Sequence, residues 1–392
     1  MTDDTSGTED STPNRRRAFL YLAFWFVAGD AMTMQTRGPL LASFEADFGV
    51  SEGLLGLVAP AGTVGFVVAI LAVGFLAGRL DVKRTLLLGV GGTVAALVAL
   101  AAAPVYWLFL AALVAQGAMM GVFRGVDRPL LTHLYPARLG RTFVLYALAW
   151  SLGAVTGPIL VTAVLELTGW RWTFLLLAVW FLPVLAVLWA RGVPTATWSE
   201  HELDVDALRQ LVARPRIRGV LASMALLGGI EGIMFTWLPY YARTLMGPDL
   251  ANLTLSAYLL AYVPGRVAYA RLVGRHAYFP LAIATVAVAL PMFVVVLLAP
   301  TPPIVLAAIF LVGIPVSGLF PLLSAYGVET ATEYSGPLSA LTTAATYVGI
   351  ASAPVLVGVL AELYGIAVGM IVVPALGVVL LASLAYIGWR SG

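Results

Sequence analysis

Asp30 and Glu231 each stand near the middle of an apolar run of about 25 residues, and Arg37, Arg124, Arg128 and Arg266 also fall inside such runs. If these runs cross a bilayer, each charge costs at least about 2.5–3.5 kcal/mol to insert and must face a cavity or a partner. Carboxyl groups at that depth are candidates to take up and release a proton, which makes Asp30 and Glu231 the expected proton-coupling pair. The alternative is a pair of buried carboxyls that only fix helix packing. Arg37 follows Asp30 by seven residues, almost on the same helical face and roughly 10 Å along it. It can pair with Asp30 through water, guard the outer entrance or bind an anionic substrate. Gln116, Met120, Arg124 and Asp127 form a stripe at spacings of four, four and three, in which Arg124 and Asp127 can also be a local ion pair. Tyr258, Tyr262, Arg266 and Tyr269 repeat that spacing. They can line a polar cavity, stack on a ring or grip a carboxylate. The alternative is an aromatic packing stripe with Arg266 snorkelling to the interface, although Tyr258 and Tyr262 lie too deep for interface anchors. Thr342, Thr346 and Tyr347 are further candidates for the same cavity. Three carboxylates against four arginines leave one positive charge in excess, which permits an anionic substrate without demanding one.

The elements that carry these residues are membrane helices. Of 392 residues, 61% are hydrophobic and 11% charged, against roughly 25% charged in a soluble domain, and mean hydropathy is +0.95. Apolar runs follow one another at about 18–43, 53–78, 85–104, 106–130, 142–166 and 172–190. They continue at about 218–242, 253–273, 279–299, 303–325, 337–361 and 366–389. The reading is an all-α membrane protein of twelve transmembrane helices, because a strand barrel would show shorter, alternating segments. Residues 1–17 are read as a disordered cytoplasmic N-terminus, with Arg15–Arg17 anchoring the first helix rather than opening a cleaved signal. Residues 18–190 form a first six-helix bundle, 191–217 a cytoplasmic linker and 218–392 a second six-helix bundle. Within the linker, Ser199 and Glu202 suggest a capping box, and Leu203, Ala207, Leu208, Leu211 and Val212 share one face of a surface helix ended by Pro215. With the N-terminus inside, sixteen of the 22 Lys and Arg fall on the inner side, which sets both termini in the cytoplasm and the protein in the cell membrane.

The two bundles are copies. Residues 153–169, GAVTGPILVTAVLELTG, recur at 349–365 as GIASAPVLVGVLAELYG, with Gly153/Gly349, Pro158/Pro354, Glu166/Glu362 and Gly169/Gly365 among the identities. A weaker echo at a displacement of 200 joins Met34, Thr36, Pro39 and Ala42 to Met234, Thr236, Pro239 and Ala242, and it places Glu231 one position from the mate of Asp30. Gly153 and Gly157 allow a neighbouring helix to approach closely, and Pro158 bends its own helix. Such repeats pack around a central site and rock against each other.

The chain resembles the major facilitator superfamily. Residues 74–84, GFLAGRLDVKR, lie between the second and third runs, where the family carries Gly-x-Leu-Ala-Asp-Arg-x-Gly-Arg-Lys. Gly74, Leu76, Ala77, Arg79 and Lys83 match, whereas Gly78 replaces the Asp and Asp81 replaces a Gly. In the family this loop stabilises the outward-facing state through charge contacts, which here requires Asp81 to substitute. GAVTGP resembles part of the fifth-span signature and GWRWTF, residues 169–174, the start of the sixth span. The resemblance implies alternating access around a midplane cavity lined by spans one, four, seven, eight, ten and eleven. Arg37, Gln116, Arg124, Tyr258, Tyr262, Arg266, Thr346 and Tyr347 then contact substrate or gate access. Gly74, Gly78, Arg79, Asp81, Lys83, Gly153, Gly157, Pro158, Gly349 and Pro354 serve the conformational change. The Gly-x-x-x-Gly-Pro pattern resembles antiporter members, although Val161 and Thr162 stand where paired glycines are expected.

No enzyme chemistry is expected. The chain has no Cys, His133, His201 and His276 form no metal constellation, and a phosphate-binding glycine loop with its lysine is missing. The function expected is proton-coupled transport of a small organic solute without a cofactor, leaning to export of drug-like or metabolite molecules. Proton-linked uptake of a sugar or organic anion is the alternative, and a channel or non-transporting sensor is a third reading. The partners expected are the solute, protons and the lipid bilayer, with no nucleic acid and a monomeric state.

Overall fold

The computed structural model describes residues 13–391 apart from 77–78, 194–208, 210, 274, 299–300 and 331–334. Among the described residues the chain is helical and holds no strand. The first half contains α1 (Pro13–Phe48), α2 (Glu52–Leu55), α3 (Val58–Leu76), α4 (Val82–Ala102), α5 (Tyr106–Leu134), α6 (Leu139–Leu167) and α7 (Arg171–Arg191). The second contains α8 (Pro215–Ala242), α9 (Pro248–Leu260), α10 (Tyr262–Leu272), α11 (Tyr278–Leu298), α12 (Pro302–Thr330), α13 (Ser335–Tyr364), α14 (Ile366–Met370) and α15 (Val372–Ser391).

Among the described residues, ten stretches are long and apolar enough to cross a membrane on their own. The two remaining spans are the 36-residue α1, which carries Asp30, Arg37 and Glu45, and the α9–α10 pair of 13 and 11 residues. Proline explains the broken spans. A proline lacks the N–H that would bond the carbonyl four residues earlier. Pro60, Pro264 and Pro374 therefore open the ladder at Gly56, Leu260 and Met370, where α2 gives way to α3, α9 to α10 and α14 to α15. Pro60 and Pro264 occupy corresponding spans of the two halves.

α1 begins at Pro13, so Arg15–Arg17 ride its first turns. Most of the expected linker helix lies outside the described residues. Its end is visible at Leu211, which is buried against Ile217 and Leu338 and so ties the linker to the second bundle.

The copied glycines do the same work in each half. A Cβ on Gly153 would run into the Ala28 carbonyl of α1, and a Cβ on Gly349 into the Ala225 carbonyl of α8. Where the repeat departs, the small residue changes helix. Gly157 of α6 lies on the Met32 backbone, whereas its copy Ala353 meets Gly229 of α8. These contacts pair Ala28 with Ala225 and Met32 with Gly229, a displacement of 197. The echo at 200 is therefore not the packing register. In that register Glu231 is the mate of Met34, about one helical turn from the mate of Asp30.

Candidate functional site

The first bundle holds a charge network built from three helices. Arg124 of α5 donates from Nη1 to Asp30 Oδ2 of α1 at 2.5 Å, with side-chain exposures of 7% and 14%. Its Nε stands 3.9 Å from Asp127 Oδ2. The expected pairing along the helix is thus the weaker contact, and the tight partner comes from another helix. Asp127 instead accepts a hydrogen bond from the Tyr146 hydroxyl of α6, and the Arg124 guanidinium lies 5.2 Å from the centre of that ring. Beyond Asp30, Met34 and Arg37 continue the same face of α1. Arg37 donates from Nη2 to Gln116 Oε1 at 2.7 Å, and Gln116 Nε2 contacts Met120 Sδ at 2.8 Å. Asp30, Arg37, Gln116, Met120, Trp150 and Tyr347 share the wall of one cavity of ≈ 30 Å³. That is room for about one water molecule.

The second bundle holds a smaller network. Tyr262 donates to Glu231 Oε1 at 2.8 Å and lies 3.2 Å from the Tyr258 hydroxyl. Arg266 lies 5.6 Å from the Tyr262 ring centre and donates to Ser151 Oγ of α6 at 3.0 Å, joining the two bundles. Tyr258, Tyr262 and Arg266 therefore act as one group. Tyr269, past the Pro264 break, bonds Thr285 of α11 at 2.8 Å instead. The Thr346 hydroxyl donates to the Thr342 carbonyl of its own helix, and its backbone packs on Gly228, away from the cavity wall that Tyr347 reaches.

On the side away from the termini the bundles are fastened together. Glu362 at the end of α13 accepts from Ser51 Oγ at 3.0 Å and from the Gly53 N–H at 3.1 Å. Tyr240 of α8 donates to Glu45 of α1 at 2.9 Å. Gly38 lies against the Phe235 carbonyl, and Ser256 donates to the Val155 carbonyl at 2.9 Å. The repeat makes the Glu362 contact informative. Glu166, its copy, would meet the start of α9, where Gly247-Pro248-Asp249 replaces Ser51-Glu52-Gly53. That exchange removes the hydroxyl and moves the one carboxylate from the second position to the third, the position whose N–H Glu362 binds in the first half.

A family model of the Major Facilitator Superfamily matches residues 20–354. The chain belongs to this superfamily. It is a membrane-embedded, multi-pass transporter working by alternating access. A bacterial homologue of the human lysosomal transporter Spinster, solved in an inward-facing and occupied conformation, superposes with a TM-score of 0.83 at 12% identity, covering 96% of this chain and 97% of that one. The nucleoside transporter NupG superposes with a TM-score of 0.75 at 13% identity, covering 95% of this chain and 99% of that one. At such identities the likeness concerns the fold. No curated protein matches the sequence.

The superfamily's loop signature lies at the junction of α3 and α4. Asp81 caps α4 by accepting from the Arg84 N–H at 2.7 Å, so its carboxylate serves a helix terminus. Gly78 lies outside the described residues; Gly74, Arg79 and Lys83 flank the junction of α3 and α4. At the start of α7, Arg171 pairs with Asp47 at 2.7 Å and stacks 4.4 Å from the Trp170 ring centre, which ties the sixth-span motif to the end of α1. Tyr146, Trp150 and Ser151 join the site with no charge pattern to announce them. Their one signal in the sequence is the four-residue step from Tyr146 to Trp150 on the helix that carries Gly153 and Gly157.

Proposed function

We propose that this transporter couples proton movement to export of a small organic solute across the cell membrane, with both termini in the cytoplasm. Residues 18–190 and 218–392 are the two rocking bodies and 191–217 the connection between them. The observation that carries the reading is the Asp30–Arg124 pair on the wall of the cavity that also holds Arg37 and Gln116. A proton on Asp30 cancels its attraction for Arg124 and returns the guanidinium to Asp127 or to a substrate. Glu231 plays the matching part in the second bundle through Tyr262 and Arg266. Basic residues at the termini side, among them Arg79, Lys83, Arg138 and Arg191, support the cytoplasmic assignment. The fastened far side then makes this form inward-facing.

A second reading is proton-linked uptake of an organic anion. Arg37 favours it, because its hydrogen-bond partner is the neutral Gln116 and, among the described residues, its buried Nε has no hydrogen-bond partner. Proteoliposomes carrying a trapped pH-sensitive dye test both readings against a panel of cationic, neutral and anionic solutes. Solute-dependent proton movement across the vesicle membrane supports symport or antiport according to its sign. Solute flux indifferent to the proton gradient overturns the coupling.

A further inference from the structure

Beyond the transport site, the structure holds a cleft of ≈ 340 Å³ at the termini side of the first bundle. It lies between the first turns of α1 and the last turns of α7. Ala18, Phe19 and Leu22 form one wall, Val187 and Ala190 the other, and Arg15 and Arg191 stand at the mouth. Above it the two helices are closed by Trp25 and Trp180, stacked with centroids 4.2 Å apart. Each indole donates to the other residue's carbonyl, at 2.9 and 3.2 Å. From Trp25 down to Arg15 is ten residues, about 15 Å of helix. A third cation borders the mouth, since a Cβ on Gly192 would lie 3.8 Å from Lys83 Nζ.

We propose that this cleft binds one anionic phospholipid, its phosphate between Arg15, Arg191 and Lys83 and part of an acyl chain against the apolar walls. Three features select a lipid over a free anion. The walls are apolar, and a soluble phosphate gains nothing from them. The cleft opens between two membrane helices. Tyr21 and Trp189 beside it are 68% and 75% exposed, the placement of aromatic side chains at a headgroup boundary. Its volume lies in the range of small-molecule sites. The reading is independent of the proton-coupling site, whose Asp30 lies eight residues beyond Leu22, about 12 Å along α1.

The test is native mass spectrometry of the full chain in detergent, titrated with phosphatidylglycerol, phosphatidylcholine and inorganic phosphate. Retention of one phosphatidylglycerol in preference to phosphatidylcholine is expected. Each arginine near a headgroup contributes roughly a fivefold preference, so R15Q/R191Q should lose roughly 25-fold. R15K/R191K should keep most of it. Ala190→Phe, which fills the cleft without changing charge, should lower retention in the same way. The proposal is overturned if both lipids bind equally, or if inorganic phosphate displaces the lipid. It is also overturned if R15Q/R191Q and Ala190→Phe each keep the wild-type preference, or if the lipid binds only after residues 1–12 are removed, which would make that segment the occupant.

Discussion

Asp30 and Arg124 show how a charge inside a membrane helix is kept. Neither is exposed to more than a small degree, and each is the other's tight partner across two helices. Breaking a buried pair costs about 3–5 kcal/mol, because the remaining charge is stranded. Asp30→Asn and Arg124→Gln should therefore each destabilise the protein, and the double variant should be more stable than either, as read by thermal unfolding in detergent. Costs that simply add would show that the two side chains do not interact. If Asp30 carries the coupled proton, Asp30→Asn should abolish gradient-driven flux while leaving solute counterflow, which needs no net proton movement. Tyr262→Phe removes the donor to Glu231 and leaves the stacking surface for Arg266. It should shift the pH dependence of transport while changing apparent solute affinity less than about fivefold, within the range of one neutral hydrogen bond.

At the scale of helices, the repeat predicts which contacts fasten the bundles and which do not. Glu362 holds Ser51 and Gly53, and the segment that corresponds to Ser51–Gly53 for its copy Glu166, Gly247–Asp249, has no hydroxyl. Hydrogen bonds to charged groups are worth about 1.5–3 kcal/mol, so Glu362→Gln should shift the balance of states by roughly tenfold toward far-side opening. Spin labels on Leu167→Cys and Leu250→Cys can read it, since both positions are exposed at the far ends of α6 and α9 and the chain has no native Cys. The long-distance population should grow in Glu362→Gln and stay unchanged in Glu166→Gln. Equal responses to both would remove the asymmetry. The glycines predict the complementary loss. Gly153→Val and Gly349→Val press a side chain onto the backbone of α1 or α8 and should cost at least roughly 1–3 kcal/mol.

For the whole molecule, rocking of the two bundles about the cavity that Asp30, Arg37 and Tyr347 line sets the demand: transport should saturate with solute and show counterflow. Flux that rises linearly with concentration and needs no conformational cycle would point to a channel instead. On the proposed mechanism the same rocking would separate α6 from α10 and release Arg266 from Ser151 of the opposite bundle, leaving its guanidinium beside the Tyr262–Glu231 pair.

Much of this architecture is legible in the sequence because a bilayer makes its demands locally. Every span must satisfy its own backbone and most are apolar along their length, so the run of hydrophobic segments yields the helices and their order. The duplicated Gly and Pro positions likewise announce that the fifth and eleventh spans pack closely on a neighbour, while the neighbours themselves, α1 and α8, are the structure's finding. Partner choice is different. Asp30 and Arg124 are 94 positions apart, and whether they meet depends on the rotation and crossing of two helices that share no local signal. The same is true of Tyr146 with Asp127, of Glu362 with Ser51, and of the 197-residue register that replaced the echo at 200. The sequence determined by itself which residues must find partners inside the membrane. Only the tertiary structure decided which partners they found, because side-chain pairing follows from helix rotation, and rotation is set by close packing at Gly153 and Gly349.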